Sequence, residues 1–543
     1  MEIPKEVKFV IEQLKKNRFE AYIVGGCVRD FLRRVEPKDW DVATSARPKE
    51  IQKIFPKSFY SNQFFTVTVQ VGIGKPRLKE FKEDKSSSRS LTGVREIEIT
   101  TYRKEAKYTD KRHPDEVKFA KTIEEDLERR DFTVNAMALA IKPFLSMEPQ
   151  PLAQIYGKGA GGEYLAEKLE IKIIDLFNGK KDLENKLIRA VGNPEDRFSE
   201  DALRMLRAVR FAVTLGEGWQ FEERCSSLAP AKAWAIEEKT AQAIKKNTAW
   251  LQAISKERIR DEFLKIIMSE RPAQGLELLR ELNLLKYIIP ELEEGYKITQ
   301  NKHHIYECYE HYLRSLDYAA KKNFNKYVRL AALFHDIAKP RVKEGEGPDA
   351  TFYGHEIIGA KMIVQILNRL KFPKKEIEKI AKLVRYHLFY YNPEEVGESS
   401  VRRLVRQVGP ENMEELLQVR MADRIGSGVP KAEPYKLRHL KYIIEKVSRD
   451  PISVRMLKVD GNEVMKILNV PPGPKIGQIL DVLLGYVLEE PQKNKKEFLE
   501  KEIVKLGKLS GKELSSLSRK ASKEREKLEI KRDEMAKKNY WVT

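Results

Sequence analysis

A strand-like run that ends in two glycines constrains the fold of this chain most strongly. The residues Tyr22 to Asp30 read Tyr-Ile-Val-Gly-Gly-Cys-Val-Arg-Asp, which predicts a buried strand, a turn at Gly25 and Gly26, and a helix after it. Glycine lets the backbone approach a bound phosphate closely, and a helix N-terminus presents N–H donors to it. Arg29 adds a guanidinium suited to bidentate phosphate binding. The pattern therefore predicts a phosphate-binding turn in an α/β domain.

An acidic pair, Asp39 and Asp41, follows this turn at short range. Residues i and i+2 of a strand point to the same face, so the two carboxylates can hold a hard cation such as Mg²⁺. An isolated Asp-x-Asp is common on protein surfaces, and the preceding glycine turn is what favours a metal site here. Glu98, on a second predicted strand, is either a third acid for the same metal or an ordinary outward-facing residue.

The hydrophobic pattern changes along the chain. Strand-like runs are found in the first quarter, and apolar residues recur at helical spacing after Asp182. This pattern predicts an α/β head with a small mixed sheet, followed by an all-α neck, body and helical bundle. The predicted divisions are a head over residues 1–145, a linker and neck over 146–225, a helical body over 226–295, a helical bundle over 296–430 and a helical tail over 431–543.

The charge balance narrows the classes of partner. Lysine and arginine total 102 residues against 82 aspartates and glutamates, a formal net charge of +20 that favours a polyanion. The sequence contains no run of about 18 apolar residues, so no membrane span is predicted. The N-terminus also lacks the pattern of a signal peptide. The cysteines Cys27, Cys225 and Cys308 are far apart, which favours a reducing cytoplasmic setting. Nucleic acid is therefore the expected partner, with no membrane.

Together, the glycine turn and the segment Lys38 to Thr44 resemble the opening signature of class II tRNA nucleotidyltransferases and bacterial poly(A) polymerases. Later motifs of that family have counterparts in the same order. They are Arg129 to Ala136, Asp175 to Gly179 with Asp182, Glu200 to Arg210, and Glu257 to Glu262. The resemblance covers roughly residues 20 to 290. It implies a head, a joint to a neck at the third motif, and a helical RNA-binding body.

The resemblance implies transfer of a nucleotide from CTP or ATP to the 3′-hydroxyl of a tRNA, with release of pyrophosphate. Two Mg²⁺ ions held by the catalytic residues Asp39 and Asp41 would activate the hydroxyl and neutralise the leaving group. The implied nucleotide-binding residues are Gly25, Gly26, Arg29, Asp30, Arg129, Arg130, Asp131, Asn135, Asp201, Arg204, Arg207 and Arg210.

The fourth motif suggests how a protein selects C and A without a nucleic-acid template. Asp201 and Arg204 are three residues apart, so on a helix their side chains would be neighbours. An acceptor-only Asp and a donor-only Arg complement the amine and ring nitrogen of cytosine and adenine. Guanine and uracil would leave buried groups unpaired, at about 1–3 kcal/mol each. Arg207 and Arg210 lie further round the helix, and we assign them to phosphates or structural pairing.

Within this family, complete CCA addition is the leading prediction. The segment Tyr108 to Glu116 resembles the flexible loop needed to add A, which separates the chain from enzymes that add only CC. The region Gln63 to Val71 lacks the Gly-basic-basic-Phe stretch typical of poly(A) polymerases, although Phe65 replaces the usual glycine of the CCA-adding pattern. A-only addition and poly(A) synthesis remain the alternatives. Two segments look inserted relative to the family, Lys75 to Gly93 and Pro149 to Gly162.

A second metal constellation is predicted in the helical bundle. Six of the eight histidines fall between His303 and His387, and the run from Leu330 to Lys339 resembles the HD phosphohydrolase motif. The ligand set implied by the order of the residues is His311, His335, Asp336 and Asp423, with a divalent transition metal as a candidate occupant. Two interpretations follow: a phosphohydrolase acting on RNA ends, or an HD bundle that serves only as part of the tRNA-binding body.

Overall fold

The computed structural model describes residues 2–61, 66–72, 94–106, 116–142, 170–215, 234–301, 305–448 and 454–542. The chain divides into two compact units, Met1–Ala381 and Lys382–Thr543. Their boundary lies inside the helical bundle predicted over residues 296–430, so the compact units and the predicted domains divide the chain at different places.

The described strands all belong to the first unit. In chain order they are β1 (Ala21–Val24), β2 (Asp41–Thr44), β3 (Ser58–Ser61), β4 (Thr66–Gly72), β5 (Val94–Thr101), β6 (Arg103–Ala106), β7 (Glu116–Phe119), β8 (Met137–Lys142), β9 (Glu170–Asp175), β10 (Leu187–Ile188) and β11 (Ala235–Ile236). Seven of them form one sheet in the order β3-β4-β5-β2-β1-β8-β9. The strand that begins at Asp41 is therefore the central strand of the sheet.

Helices make up most of the remaining described chain. The helices of the first unit are α1 (Lys5–Lys16), α2 (Gly26–Leu32), α3 (Pro48–Ile54), α4 (Ile123–Glu128), α5 (Gly179–Glu184), α6 (Pro194–Glu200), α7 (Leu203–Leu215), α8 (Glu238–Asn247), α9 (Lys256–Ile267), α10 (Pro272–Glu281), α11 (Leu285–Ile288), α12 (Pro290–Glu293), α13 (Cys308–Lys321), α14 (Lys326–Phe334), α15 (Lys339–Val342) and α16 (His355–Arg369). The unit boundary falls within α17 (Lys374–Tyr386).

All the regular elements in the described part of the second unit are helices. Beyond α17 it contains α18 (Glu398–Val408), α19 (Met413–Gly426), α20 (Tyr435–Ser448), α21 (Gly461–Leu468), α22 (Pro474–Glu489), α23 (Lys496–Gly507) and α24 (Gly511–Asn539). Its core includes the apolar faces of α21, α22 and α23. These elements confirm the predicted fold class, an α/β head followed by helices. The departures among the described residues are β9, which lies in the predicted linker and neck, and the two-residue parallel pair of β10 and β11.

The central strands alternate between two apolar layers. Ile23 and Val42 point to a core that also takes in the buried face of α1, where Val7, Val10, Ile11 and Leu14 recur at helical spacing. Val24 and Ala43 point to the opposite face, where α4 packs. Asp41 is two residues before Ala43 and therefore lies on that second face, at the start of the strand.

The head takes in more of the chain than its predicted end at residue 145. Strand β9 pairs antiparallel with β8 from Met137↔Asp175 to Lys142↔Glu170, so it completes the head sheet although it lies in the predicted linker and neck. The pairing is between distant residues, and sequence periodicity alone does not reveal such a partner. Among the described residues, no helix has the length and apolar character needed to cross a membrane.

The third motif ties the end of this sheet to the segment before β8. Asp175 accepts hydrogen bonds from the backbone N–H groups of Gly179 (2.7 Å) and Lys180 (2.9 Å). Asp182 is fully buried and accepts hydrogen bonds from the Thr133 hydroxyl (2.6 Å) and the Arg189 guanidinium (2.6 Å). This motif therefore packs directly against the second motif, although its predicted role as a flexible joint stays a prediction.

Gly179 leaves no room for a side chain, which gives a direct test of this packing. An added Cβ would lie 2.2 Å from the Thr133 carbonyl oxygen and 3.1 Å from Met137 Cγ. We expect Gly179→Ala to lower the free energy of unfolding by about 3 kcal/mol, because backbone must shift to accept the methyl group. Gly477→Ala is the matched control, since no atom lies within 4 Å of its added Cβ. Equal thermal melting of both variants would contradict this packing.

Candidate active site

Three acidic residues meet at the centre of the head sheet. β2 and β5 run parallel with Asp41 paired to Glu98, and Asp39 lies two residues before Asp41. Burial, followed by the charge of Glu98, raises the pKa of Asp41 to about 6, against the lowering effect of Arg130. Asp39 adds to the rise. Carboxylates crowded in this way fit a divalent cation, which would relieve their repulsion.

Glu98 has features of both interpretations in the structure. Glu98 is exposed, as an ordinary outward-facing strand residue would be, yet it also lies directly beside Asp41. The contact depends on a parallel pairing between segments almost 60 residues apart in the printed sequence. The sequence supplied only its acidic character and its place on a strand.

The glycine turn lies next to both Asp41 and the positively charged Arg130. Gly25 has a φ of +81°, a conformation that favours glycine. A Cβ at this position would lie 2.9 Å from Arg130 Nη1 and 3.5 Å from Asp41 Oδ2. Gly25 therefore permits a close approach of the backbone, an arginine and a carboxylate.

A chain of polar contacts joins this turn to the neck. Arg29 donates from Nη1 to Asn135 Oδ1 (2.7 Å), and Asn135 donates from Nδ2 to Asp131 Oδ1 (3.1 Å). Asp131 also accepts from Arg207 Nε (2.8 Å). Burial raises the pKa of Asp131, but Arg207 and Asn135 outweigh it and hold that pKa well below its ordinary value. Arg29 further donates to both carboxylate oxygens of Asp30.

Arg129 and Arg130 are held by one acid that the sequence analysis did not identify. The buried Asp126 accepts from Arg129 Nη2 at 2.8 Å and from Arg130 Nη2 at 3.1 Å. Burial raises the pKa of Asp126, and the two arginines reverse that effect and lower it. Asp126 was hidden because its run of acids, Glu124 to Asp126, has the composition of a solvated helix start.

The predicted helical neighbours Asp201 and Arg204 do not share a helix, which corrects the geometry expected from sequence. α6 ends at Glu200, Asp201 is extended (φ −143°, ψ 103°), and α7 begins at Leu203. Asp201 accepts from Arg258 Nη2 (2.7 Å), whereas Arg204 donates to the carbonyl oxygens of Arg197 (3.0 Å) and Arg129 (3.0 Å) and contacts Glu200. The tertiary contact with α9 accompanies the break between the two helices.

The two later arginines of the motif form structural ion pairs, one of the two roles assigned to them. Arg207 pairs with Asp131, and Arg210 Nε lies 2.9 Å from Glu262 Oε2. Glu262 and Arg258 both lie on α9, in the segment that resembles the fifth motif. Their spacing of four residues signals a shared helix face, but not which residues of the fourth motif they contact.

The HD-like residues of the first unit converge in its interior. His311 and His335 are fully buried, and their Nε2 atoms lie 2.8 Å apart. Both Nε2 atoms also face Asp336 Oδ2, at 3.1 Å and 3.3 Å. His335 Nδ1 contacts the Ala332 carbonyl oxygen at 2.9 Å, an arrangement that places the proton on Nδ1 and leaves Nε2 for a metal. This donor set fits a divalent transition metal.

Two further residues join this cluster. His355 Nε2 lies 3.2 Å from Asp336 Oδ1, and Lys339 Nζ lies 2.6 Å from Asp336 Oδ2. Burial raises the pKa of Asp336, but His335 and Lys339 outweigh it and hold that pKa well below its ordinary value. Asp423 is buried on α19 of the second unit, where it pairs with Arg420, and its part in the metal site stays a prediction.

Several sequence-based interpretations fall on residues beyond those that the structure describes. They are the adding-A loop up to residue 115, residues Gln63 to Phe65, the whole Lys75 to Gly93 segment, the Pro149 to Gly162 segment, His303 and Cys225. Cys27 and Cys308 are free and buried.

The fold and the acid cluster define a nucleotidyltransferase head followed by helical domains. Residues 21–149 match the poly A polymerase head domain, residues 234–295 the probable RNA and SrmB-binding site of polymerase A, and residues 308–427 the HD domain. A CCA-adding enzyme of Enterococcus faecalis is 30% identical over 502 residues, which cover 91% of this chain and 94% of that relative. The chain belongs to the family of CCA-adding enzymes.

Other relatives match over a shorter stretch. A CCA-adding enzyme of Ligilactobacillus salivarius is 38% identical over 288 residues, so the match spans about half of each protein, 52% of this chain and 55% of the relative. The crystal structure of the Bacillus stearothermophilus CCA-adding enzyme in complex with CTP shares the fold, with a TM-score of 0.52 at 24% identity, and covers 93% of this chain and 98% of that one. The head and HD domains together imply dependence on a divalent metal ion.

The place of Glu98 beside Asp41 predicts a role in metal affinity. Replacing Glu98 by Gln removes a negative charge next to Asp41, so we expect the Mg²⁺ concentration for half-maximal nucleotide incorporation to rise on the order of tenfold. Glu96→Gln is the matched control on the same strand, where Glu96 accepts a hydrogen bond from Gln70 instead. The same shift in both variants, or in neither, would show that Glu98 does not help to hold the metal.

Proposed function

We propose that this chain adds C and A residues to the 3′ end of tRNA from CTP and ATP and releases pyrophosphate. The observation that carries the proposal is the acid cluster of Asp39, Asp41 and Glu98 at the centre of the head sheet, in a chain that belongs to the CCA-adding family. The E. faecalis relative bears the name of this activity and matches nearly the whole chain.

The residues divide the chemistry between two sides of the site. Asp39 and Asp41 would hold Mg²⁺, which when bound lowers the pKa of the RNA 3′-hydroxyl and neutralises charge on the leaving pyrophosphate. The guanidinium of Arg130, next to Gly25 and Asp41, would bind the triphosphate. Arg29, held by Asp30 and Asn135, would contribute a second positive charge.

Base selection is proposed to rest on Asp201 and Arg204 as separately supported groups. The side chain of Asp201 is held by Arg258, and that of Arg204 by Glu200 and two backbone carbonyls. Such supports fix the direction in which an acceptor and a donor face a base, so that cytosine and adenine are paired and guanine and uracil are not. Gly26, Arg129, Asp131, Asn135, Arg207 and Arg210 complete the proposed nucleotide-binding set. Within it, Asn135 holds Arg29, Asp131 holds Arg207, and the Arg129 carbonyl oxygen accepts from Arg204.

The order of additions separates the leading proposal from its alternatives. A CCA-adding enzyme stops after one A, an A-adding enzyme requires a tRNA that already ends in CC, and a poly(A) polymerase makes a long A tail. The nearly full-length E. faecalis match favours the first of these. The cytoplasm is the proposed location, since the described cysteines are free and no described helix could cross a membrane.

The decisive assay supplies Mg²⁺, CTP and ATP to a tRNA that lacks its CCA end, followed by sequencing of the products. We expect CCA to be added by the wild-type chain and incorporation to fall by at least about a thousandfold in Asp41→Ala, because a metal-binding carboxylate is lost. Inclusion of GTP and UTP tests selection, and Asp201→Asn should admit more of both.

The control is Asp261→Ala, an exposed acid on α9 that pairs with Arg260. It should retain incorporation close to that of the wild-type chain. Absence of incorporation by the wild-type chain, or full activity of Asp41→Ala, would overturn the proposed function. Long A tails, or addition of A only to tRNA ending in CC, would instead support one of the alternatives.

A second activity is favoured by the buried cluster of His311, His335 and Asp336 in the HD domain. Two imidazole nitrogens and a carboxylate oxygen that lie within 3.3 Å of one another suit a metal that activates water. We infer that this site hydrolyses phosphoesters at RNA ends.

Loss of metal ligands tests this activity. A His335→Ala/Asp336→Ala chain should lose metal-dependent release of phosphate from RNA with a 3′-phosphate, or opening of a 2′,3′-cyclic phosphate, by at least about a hundredfold. The Asp41→Ala chain is the control, since its altered site lies in the head and should leave this hydrolysis intact. An unchanged rate in the double variant would eliminate the second activity.

A further inference from the structure

A buried lysine occupies the HD cluster of the first unit. Lys339 is only 5% exposed, and its ammonium group lies 2.6 Å from Asp336 Oδ2. The same ammonium donates to Gln300 Oε1 at 2.7 Å. A buried lysine is rare unless it is paired, so its position is a built feature of this interior and not a solvated side chain.

The Lys339 ammonium and the Nε2 atoms of both histidines all lie close to the same oxygen, Asp336 Oδ2. Asp336 Oδ2 is 3.1 Å from His311 Nε2 and 3.3 Å from His335 Nε2. A metal held by these three atoms would have to bond to Asp336 Oδ2. A divalent cation and an ammonium that share one carboxylate oxygen repel each other, and water screens this repulsion little in a buried cluster.

We propose that Lys339 is an internal competitor for the metal: its ammonium stabilises the metal-free HD cluster and must withdraw from Asp336 when a divalent metal binds. The lysine is thus a positioning residue that sets metal affinity. Gln300 offers a second hydrogen-bond partner that the ammonium already contacts. The proposal concerns the HD cluster alone and does not depend on nucleotide addition by the head.

Two consequences distinguish a competitor from a merely structural lysine. Without the ammonium, the buried carboxylate of Asp336 loses its closest cation, so the metal-free protein should become less stable. The cluster of His311, His335 and Asp336 should then bind a divalent cation more tightly. Because the cation binds the folded state, its binding should restore stability. A lysine needed only for packing would lower stability without improving affinity for metal.

The test uses the full chain, freed of metal with a chelator, and Co²⁺ as the probe. Binding is followed by the visible absorption of Co²⁺ ligated by imidazole, and the His335→Ala chain supplies the background from other sites, including the head. We expect Lys339→Met to bind Co²⁺ on the order of tenfold more tightly than the wild-type chain. Its melting temperature without metal should be lower, and saturating Co²⁺ should raise it by more than in the wild-type chain.

Lys321→Met is the matched control, since Lys321 pairs with another buried acid of the same domain, Asp317, at 3.0 Å. Its Co²⁺ affinity should equal that of the wild-type chain. Lys339→Gln provides a second variant that keeps a polar group for Gln300 in case the methionine variant does not fold. Affinity that is unchanged or weaker in a folded Lys339 variant would overturn the proposal.

Discussion

The buried carboxylate of Asp131 is the contact on which the arrangement of the nucleotidyltransferase site depends. It accepts hydrogen bonds from its own neighbour Phe132 N (2.8 Å), from Asn135 and from Arg207 of α7. Through Asn135 it also fixes Arg29 of the glycine turn. Asp131 is buried whereas Arg207 is partly exposed, so loss of the arginine would leave a buried carboxylate without its cationic partner. The Asp131 contacts therefore join the head to the neck, and breaking them would destabilise the protein.

Close to this contact, acidic side chains and an arginine meet at the start of β2. The acids Asp39, Asp41 and Glu98 crowd together, and this crowding, with burial, raises the pKa of Asp41. Arg130 is held by Asp126, with Gly25 leaving space between it and Asp41. A metal-bound triphosphate has the matching distribution of charge. Electrostatic preorganisation of this kind is the main protein contribution expected in phosphoryl and nucleotidyl transfer.

Local features of the site were predictable from sequence, and long-range pairings were not. The i, i+2 spacing predicted both carboxylates on one strand, but β2 begins only at Asp41 and Asp39 precedes it. The strand before Gly25 and the positive-φ turn follow from glycine and apolar patterning. The helix break at Asp201 did not, because helical periodicity continues through it while the contact with Arg258 of α9 is tertiary. The pairing of β9 with β8 was missed for the same reason.

In the HD cluster, too, the ligands could be predicted from the sequence, but their surroundings could not. The order of His311, His335 and Asp336 predicted a set of ligands, and these side chains do meet. The order of residues does not reveal competition for the metal, because Lys339 lies three residues after Asp336 and this spacing is common among surface ion pairs. Only its burial, together with its contact to the same oxygen that the histidines face, marks it as part of the cluster.

Asp39, Asp41 and Glu98 are proposed to form a cation site that a bound nucleotide completes. Crystals grown with Mn²⁺ and a non-hydrolysable CTP analogue test it directly, since anomalous scattering locates Mn²⁺ independently of the protein chain. We expect an anomalous peak within coordination distance of Asp39 and Asp41, with the triphosphate next to Gly25 and Arg130. A bound analogue with no Mn²⁺ at these carboxylates, or with its triphosphate elsewhere in the head, would contradict the account.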